Sequence, residues 1–276
     1  MKLDEIKKPK VQLPDTREEV ATWTEKDWDE LWNNPTPEKV LTWCHGNNES
    51  ERYLYMRKTQ LKHISVKGGR VNFGVRFWWR ANKERLPLKL GSVRGDFTIF
   101  GNDIISTTEG FPSKVDGDFS CNYHNIKKVN EMPSIVKGGT VELSNGPLST
   151  LNGIPDIKNL KLHASDSEIE SLDGAPKSIV NLQLSECKIT SLKGIHLHGL
   201  ENITALNIIG PIKDGLLDLL KIKFKIRPSI YIGNIDDPNV YRALEIVRKY
   251  IKHDIKRSEI LDCQQELIDA DLEDYA

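Results

Sequence analysis

Apolar and polar positions alternate along the middle of this chain in short bursts that return every 21 or 22 residues. The burst at residues 179–195 reads IVNLQLSECKITSLKGI, with Ile179, Leu182, Leu184, Ile189 and Leu192 apolar and Cys187 between them. Alternation at Leu182 and Leu184 predicts a short strand with one buried face. The side chain at Cys187 is expected to turn inward where the chain leaves that strand, with Ile189 and Leu192 filling a return arc. The same skeleton recurs as Phe97, Ile99 and Ile104, as Phe119, Cys121, Ile126 and Val129, as Val141, Leu143, Leu148 and Leu151, and as Leu160, Leu162, Ile169 and Leu172. Pro112, Pro133, Pro155 and Pro176 close these arcs at intervals of 21, 22 and 21. A proline there favours an extended start to the next strand.

This is the LxxLxLxxN/CxL spacing of leucine-rich repeats, with Cys187 at the Asn/Cys position. An earlier unit is expected at Val66-Lys-Gly-Gly-Arg-Val-Asn-Phe73, which parallels Val136-Lys-Gly-Gly-Thr-Val-Glu-Leu143. On that alignment Trp78 and Trp79 belong to a long return arc. A last, degenerate unit carries Leu200, Ile203, Leu206 and Ile208. About seven units result. The expected fold is α+β, a leucine-rich-repeat-like β-solenoid with helical N-terminal and C-terminal caps. Its expected parts are a helical region over 1–62, the array over 63–210 and an α/β cap over 211–276.

Solenoid ends expose apolar surface and need covering. Thr16-Arg-Glu-Glu19 has the form of a capping box. Trp23, Trp28, Leu31 and Trp32 follow at helical spacing, Thr36-Pro37 opens a second helix through Trp43, and residues 50–59 suggest a third. The tryptophans read as packing against the first repeat ahead of forming a docking face. After the array, residues 216–221 suggest a short helix and 224–232 a strand. Asp237-Pro238 starts a helix with Val240, Leu244, Val247 and Ile251 on one face, and a last helix carries Ile260, Leu261, Leu267 and Ile268.

Composition narrows the chemistry. The chain has 276 residues, 38% apolar and 29% charged, with net charge −1. Nothing in it approaches a membrane span or a secretory signal. Cys44, Cys121, Cys187 and Cys263 form no CxxC pair, so reduced thiols in a cytoplasmic setting are expected. Gly95-Asp96 and Gly117-Asp118 recur with the repeat and read as structural rather than as paired catalytic carboxylates. Gly68-Gly69 and Gly138-Gly139 lack a following helix and a P-loop lysine, and read as strand-start turns. Cys44-His45 read as buried or capping residues ahead of a nucleophile with its base. His196 and His198 lack a third metal ligand. No enzyme activity, cofactor or metal is expected.

Charge is unevenly placed. Residues 51–95 hold twelve Lys/Arg and two acids, giving +10 and leaving −11 for the rest of the chain. Aromatics interleave this basic run, a composition shared by protein-interface hot spots and single-strand nucleic-acid surfaces. The contact region expected from it is Arg76, Phe77, Trp78, Trp79, Arg80 and Lys83, some of which must pack inward. A second candidate is the outward column of the strands, on the concave face: Ser120, Asn122, Glu142, Ser144, Lys161, His163, Gln183 and Ser185. That column is polar and offers no aromatic anchor.

Three segments carry a family resemblance: VKGGRVNF followed by LPLKLGSVRGDF, the run VDGDFSC…GIP…SLDGAP, and the ending CQQELIDADLEDYA. Together they resemble leucine-rich-repeat-like proteins of large tailed bacteriophages, over residues 66–276. That family has no common assigned activity, so the resemblance supplies no catalytic residue. It implies a phage protein that binds a host or phage protein without catalysis in the host cytoplasm. The leading expectation is a host-directed accessory factor that inhibits or redirects a host protein such as a defence component. A virion structural or assembly protein is the second reading. A nucleic-acid-binding module using residues 51–95 is the third, and no membrane partner is expected.

Overall fold

The computed structural model describes residues 23–49, 63–81, 83–234 and 236–276. Two N-terminal helices, α1 (Glu25–Asn33) and α2 (Pro37–Glu49), precede a hairpin of β1 (Ile64–Lys67) and β2 (Arg70–Phe73). The chain then winds into a parallel β-solenoid of about seven turns. Its first coils carry two strands each: β2 with β3 (Phe77–Arg80), β4 (Leu90–Val93) with β5 (Phe97–Phe100), β6 (Lys114–Val115) with β7 (Phe119–Asn122), and β8 (Ile135–Val136) with β9 (Thr140–Glu142). Later coils carry one each: β10 (Leu160–His163), β11 (Ile179–Leu184), β12 (Ala205–Ile209) and β13 (Ser229–Gly233). Helices α3 (Asn239–Tyr250) and α4 (Arg257–Asp269) follow.

The strands form two sheets. One has eight strands in the order β13-β12-β11-β10-β9-β7-β5-β3, parallel throughout. The other has five, β1-β2-β4-β6-β8, with β1 antiparallel to β2. Strict alternation explains the core. Phe97, Ile99, Phe119, Cys121, Val141, Leu160, Leu162, Leu182 and Leu184 are buried, while the residues between them are not. Rings from successive coils stack inside, Phe77 on Phe97 at 5.4 Å and Phe97 on Phe119 at 5.1 Å. Each such buried ring contributes roughly 2–3 kcal/mol.

The first unit differs from the expected alignment. Phe73 does not occupy the position of Leu143. It pairs with Val93 in the smaller sheet, whose next members in register are Val115 and Val136. Phe77 and Trp79 instead take the inward strand positions, opposite Phe97 and Ile99. Trp78 and Trp79 therefore lie on a strand and not in a return arc. The cause is local. Gly68 and Gly69 both have positive φ, 58° and 71°, and close a two-residue hairpin turn that reverses the chain. In the matching Gly138-Gly139 only Gly139 is left-handed, so there the chain runs on into β9. A smaller shift occurs at Ile104, which is exposed while Ile105 is buried in its stead. Two consecutive left-handed residues, Asn102 and Asp103, displace the frame by one.

The Gly-Asp pairs join coil to coil. The backbone N–H of Asp118 donates to Asp96 Oδ1 at 3.1 Å, and that of Thr140 donates to Asp118 Oδ1 at 3.1 Å. A Cβ on Gly117 would lie 2.2 Å from Asp96 Oδ1, and one on Gly138 would lie 2.2 Å from Asp118 Oδ1. The glycine of each coil leaves the space that the preceding coil's aspartate fills.

The ends also differ from the expected division. β13 pairs in parallel with β12, so the strand ladder continues past residue 210. Residues 216–221 form a 3-10 helix, and the last strand starts at Ser229. Helix α1 starts at Thr24, whose N–H and Oγ1 both donate to Asp27 Oδ2. The expected capping box at 16–19 and the third helical stretch, 50–59, lie outside the described residues. Trp32 and Trp43 are buried, and Trp23 and Trp28 are half-buried against the core. A Cβ on Gly110 would come within 2.6 Å of the Trp32 ring. Among the described residues, no helix is long and apolar enough to cross a membrane.

Candidate functional site

All four cysteines are buried and free. Burial pushes the thiols of Cys44 and Cys121 far above their ordinary value, and that of Cys263 up to about 12. Nucleophilic thiols need the opposite environment. Among the described residues, no group of three or more His, Cys, Asp or Glu is placed to hold a metal ion. His196 faces Asp218 at 3.7 Å, an arrangement within the late coils rather than a ligand set with His198. His124 is buried, its Nδ1 accepting from the Ile126 N–H, and desolvation lowers its pKa to about 4.

The surface is more informative. Alternation along β3 divides the expected contact run. Phe77 and Trp79 are core residues and cannot meet a partner. Arg76 and Arg80 are exposed and Trp78 is half-buried. Lys83 does not join them. Its ammonium sits 4.4 Å over the Trp28 ring, while Arg85 lies 4.4 Å from the Trp32 ring and 3.8 Å from Asp29. These cations tie α1 to the first coils through cation–π and ionic contacts.

Register places Trp78, Thr98, Ser120, Glu142, His163, Gln183, Asn207 and Tyr231 in one row across the eight-stranded sheet. Four of the expected column residues, Ser120, Glu142, His163 and Gln183, are therefore brought together. Lys161 belongs to the preceding row, with Thr140 and Asn181. Several column residues are occupied in joining coils. Ser120 Oγ donates to Glu142, Asn122 Oδ1 accepts from the Ser144 N–H, and Ser144 Oγ accepts from the Ser165 N–H. Ser144 is buried, which removes it as a contact. The Ser185 N–H likewise donates to Ser165 Oγ.

The column is not without aromatics. Phe100 is 38% exposed and Tyr123 45% exposed, and their rings stack at 5.1 Å. Trp78 lies 6.5 Å from Phe100 on the other side. A diagonal aromatic stripe thus crosses three coils, beginning beside Arg76 and Arg80. A cleft of about 280 Å³ lies at its start, between Arg76, Trp78, Asp96 and Thr98. Arg80 Nε donates to Asn102 Oδ1 at 3.1 Å. Among the described residues, neither Arg76 nor Arg80 sits in an ion pair. The sequence carried a signal for Phe100, since inward Phe97 and Ile99 force it outward. It carried none for Tyr123, whose orientation depends on a left-handed backbone with φ 54°.

No family model, curated protein or solved structure matches this chain. The reading of the site therefore rests on its geometry.

The stripe's chemistry follows from how its rings face. Phe100 and Tyr123 turn one face each to the other, with planes 25° apart, and both residues stay partly exposed. Ring edges carry partial positive charge and faces partial negative charge. With Arg80 in register with Phe100, the ring edges that partners can reach suit carboxylates and carbonyls. Inserting a nucleic-acid base between two rings needs about 7 Å, twice the usual ~3.5 Å contact. The 5.1 Å gap does not admit one.

Proposed function

We propose that this protein acts by non-catalytic binding of another protein, through the stripe formed by Arg76, Arg80, Phe100 and Tyr123 at the outer face of the first coils. The observation that carries the reading is the exposed Phe100–Tyr123 stack, with Arg80 in register with Phe100 and Arg76 just ahead of the same strand, neither arginine having an ionic partner among the described residues. Aromatic and Arg side chains dominate binding energy at protein interfaces. Arginine beside exposed aromatic rings suits a protein partner first, and single-stranded nucleic acid, which would have to stack on an outer ring face, stands as the third reading after the virion one.

The scaffold is of leucine-rich-repeat-like type, with helices covering its ends. Supporting this are the buried skeleton Leu182, Leu184, Ile189 and Leu192, and the Cys187 Sγ, which donates to the Ile209 carbonyl at 3.4 Å. On the resemblance to phage repeat proteins, the partner is a host protein in the cytoplasm and the role a host-directed accessory one. The virion reading predicts instead that the chain is present in purified particles.

The test is affinity capture from host lysate with the wild-type chain and with F100A/Y123A. The reading expects a protein recovered by the wild type and lost by the variant, with nuclease treatment changing nothing. Equal recovery by both chains, or loss after nuclease, overturns it.

A further inference from the structure

The acidic surplus of the chain has its own exposed surface. On α4, Leu261 is 55% exposed and Ile268 is 44% exposed. Seven residues are nearly two helical turns, so these two share a face. Gln265 lies between them, and Asp262 and Asp269 flank them, all three exposed. The acids on the neighbouring face are already satisfied: Glu259 pairs with Lys252 and Glu266 with Lys249. Among the described residues, Asp262 and Asp269 have no cation. Asp269 only accepts from Gln265 Nε2, at 2.8 Å.

This face complements the aromatic stripe in charge and in apolar content. Arg76 and Arg80 are four extended residues apart, about 13 Å. Asp262 and Asp269 are separated by roughly 10.5 Å along a helix. The apolar pairs, Phe100 with Tyr123 and Leu261 with Ile268, accompany these charges. Both sets, unpaired among the described residues, belong to one chain whose basic run at 51–95 is offset by the acidic remainder, so that it is nearly neutral in sum.

We infer that a second copy of this chain docks on the stripe, laying its α4 across Phe100 and Tyr123 with Asp262 and Asp269 against Arg76 and Arg80. This rests on the reading of the stripe as a contact surface and names an occupant for it. The contact joins two different surfaces, so it is head-to-tail and leaves a free stripe and a free helix at the ends of each assembly. Exposed ion pairs are weak and screened by salt. The association is therefore concentration-dependent and strongest at low ionic strength, so that it competes with, and is displaced by, a tighter partner.

Sedimentation of the purified chain over a concentration series, at low and high salt, tests this. The wild type is expected to show an open-ended mass increase at low salt that high salt reverses. R76E/R80E and D262K/D269K should each weaken association tenfold or more. The chain carrying all four substitutions should associate again, because both faces then have reversed charge. All the altered side chains are exposed, and circular dichroism melts check that each variant is folded. A wild type that stays monomeric at low salt and high concentration overturns the inference. So does association that survives either pair of reversals, or a fourfold variant that folds without regaining it. Capture of a host protein that depends on Phe100 and Tyr123, from a chain that is monomeric, overturns only the self-association and leaves the proposed function standing.

Discussion

Tyr123 stacks on Phe100 although the two do not occupy equivalent places in their coils: Phe100 pairs in register with Asn122. Tyr123 reaches back because its backbone is left-handed, at φ 54°. Its N–H donates to the Ser144 carbonyl, which sets it level with Asn145 in the next coil, also left-handed at φ 60°. Asparagine tolerates this region better than most residues and tyrosine does not. Y123N should therefore fold normally, with a melting temperature within a few degrees of wild type, while losing tenfold or more in partner affinity. Thermal melts and binding titrations measured on the same sample check this. A large drop in stability would mean that the ring is structural.

The aspartate–glycine joint makes a sharper stability prediction. G117A places a methyl group against Asp96 Oδ1, and should cost about 2–3 kcal/mol by the usual penalty for overpacking. D96A removes a coil-to-coil hydrogen bond, typically about 1 kcal/mol or somewhat more for a charged acceptor. The double variant should be less destabilised than the sum of the two but still retain part of the overpacking cost, since D96A removes the 2.2 Å clash and leaves the methyl 2.7 Å from the Asp96 nitrogen and the Gly95 carbonyl carbon. Urea denaturation of the four proteins completes the cycle. Simple additivity would show that the two residues do not share the space.

How much could be read ahead of the fold is uneven for reasons visible at these positions. Leu182, Leu184, Phe119 and Cys121 were legible as core because period-two burial and a fixed coil length reinforce each other. The first coil misled because Lys67-Gly68-Gly69 and Lys137-Gly138-Gly139 share letters but not backbone signs, and only the former reverses the chain. The second, five-stranded sheet was missed because strands as short as Lys114–Val115 and Ile135–Val136 are too brief to show a period. The contact stripe was half legible. Alternation separates Arg76 and Arg80 from Phe77 and Trp79, but stacking between coils is a property of register that no single coil's sequence displays.

Buried His124 predicts a pH dependence. Its pKa in the fold is lowered to about 4 from an ordinary 6.5, chiefly by desolvation. The unfolded chain thus binds the proton more readily, and stability falls as pH falls. The contribution is fully present above about pH 6.5 and is lost progressively toward about pH 4, up to roughly 3 kcal/mol. Denaturant midpoints measured across that window should decline for the wild type and decline much less for H124N. An equal slope in the variant would place the acid sensitivity elsewhere.

The buried thiols predict silence. Cys44, Cys121 and Cys263 are fully buried, and Cys187 is nearly so. A thiol-specific colorimetric reagent should label none of the four in the native protein and all four in denaturant. Native labelling, if it occurs, should follow the rate of coil opening rather than reagent concentration. Rapid reaction at one cysteine would expose a locally open coil.

The shared space between Asp96 and Gly117, and again between Asp118 and Gly138, bears on how such an array can change. A coil here is not a self-contained brick. Part of its outline is cut to receive its predecessor, and part of its bulk is fitted to its successor. Deleting or duplicating the coil that carries Gly117-Asp118 would still set an aspartate against a glycine recess, so in this stretch a single coil can be spliced in or out cleanly, provided each cut keeps a recess and the aspartate that follows it together.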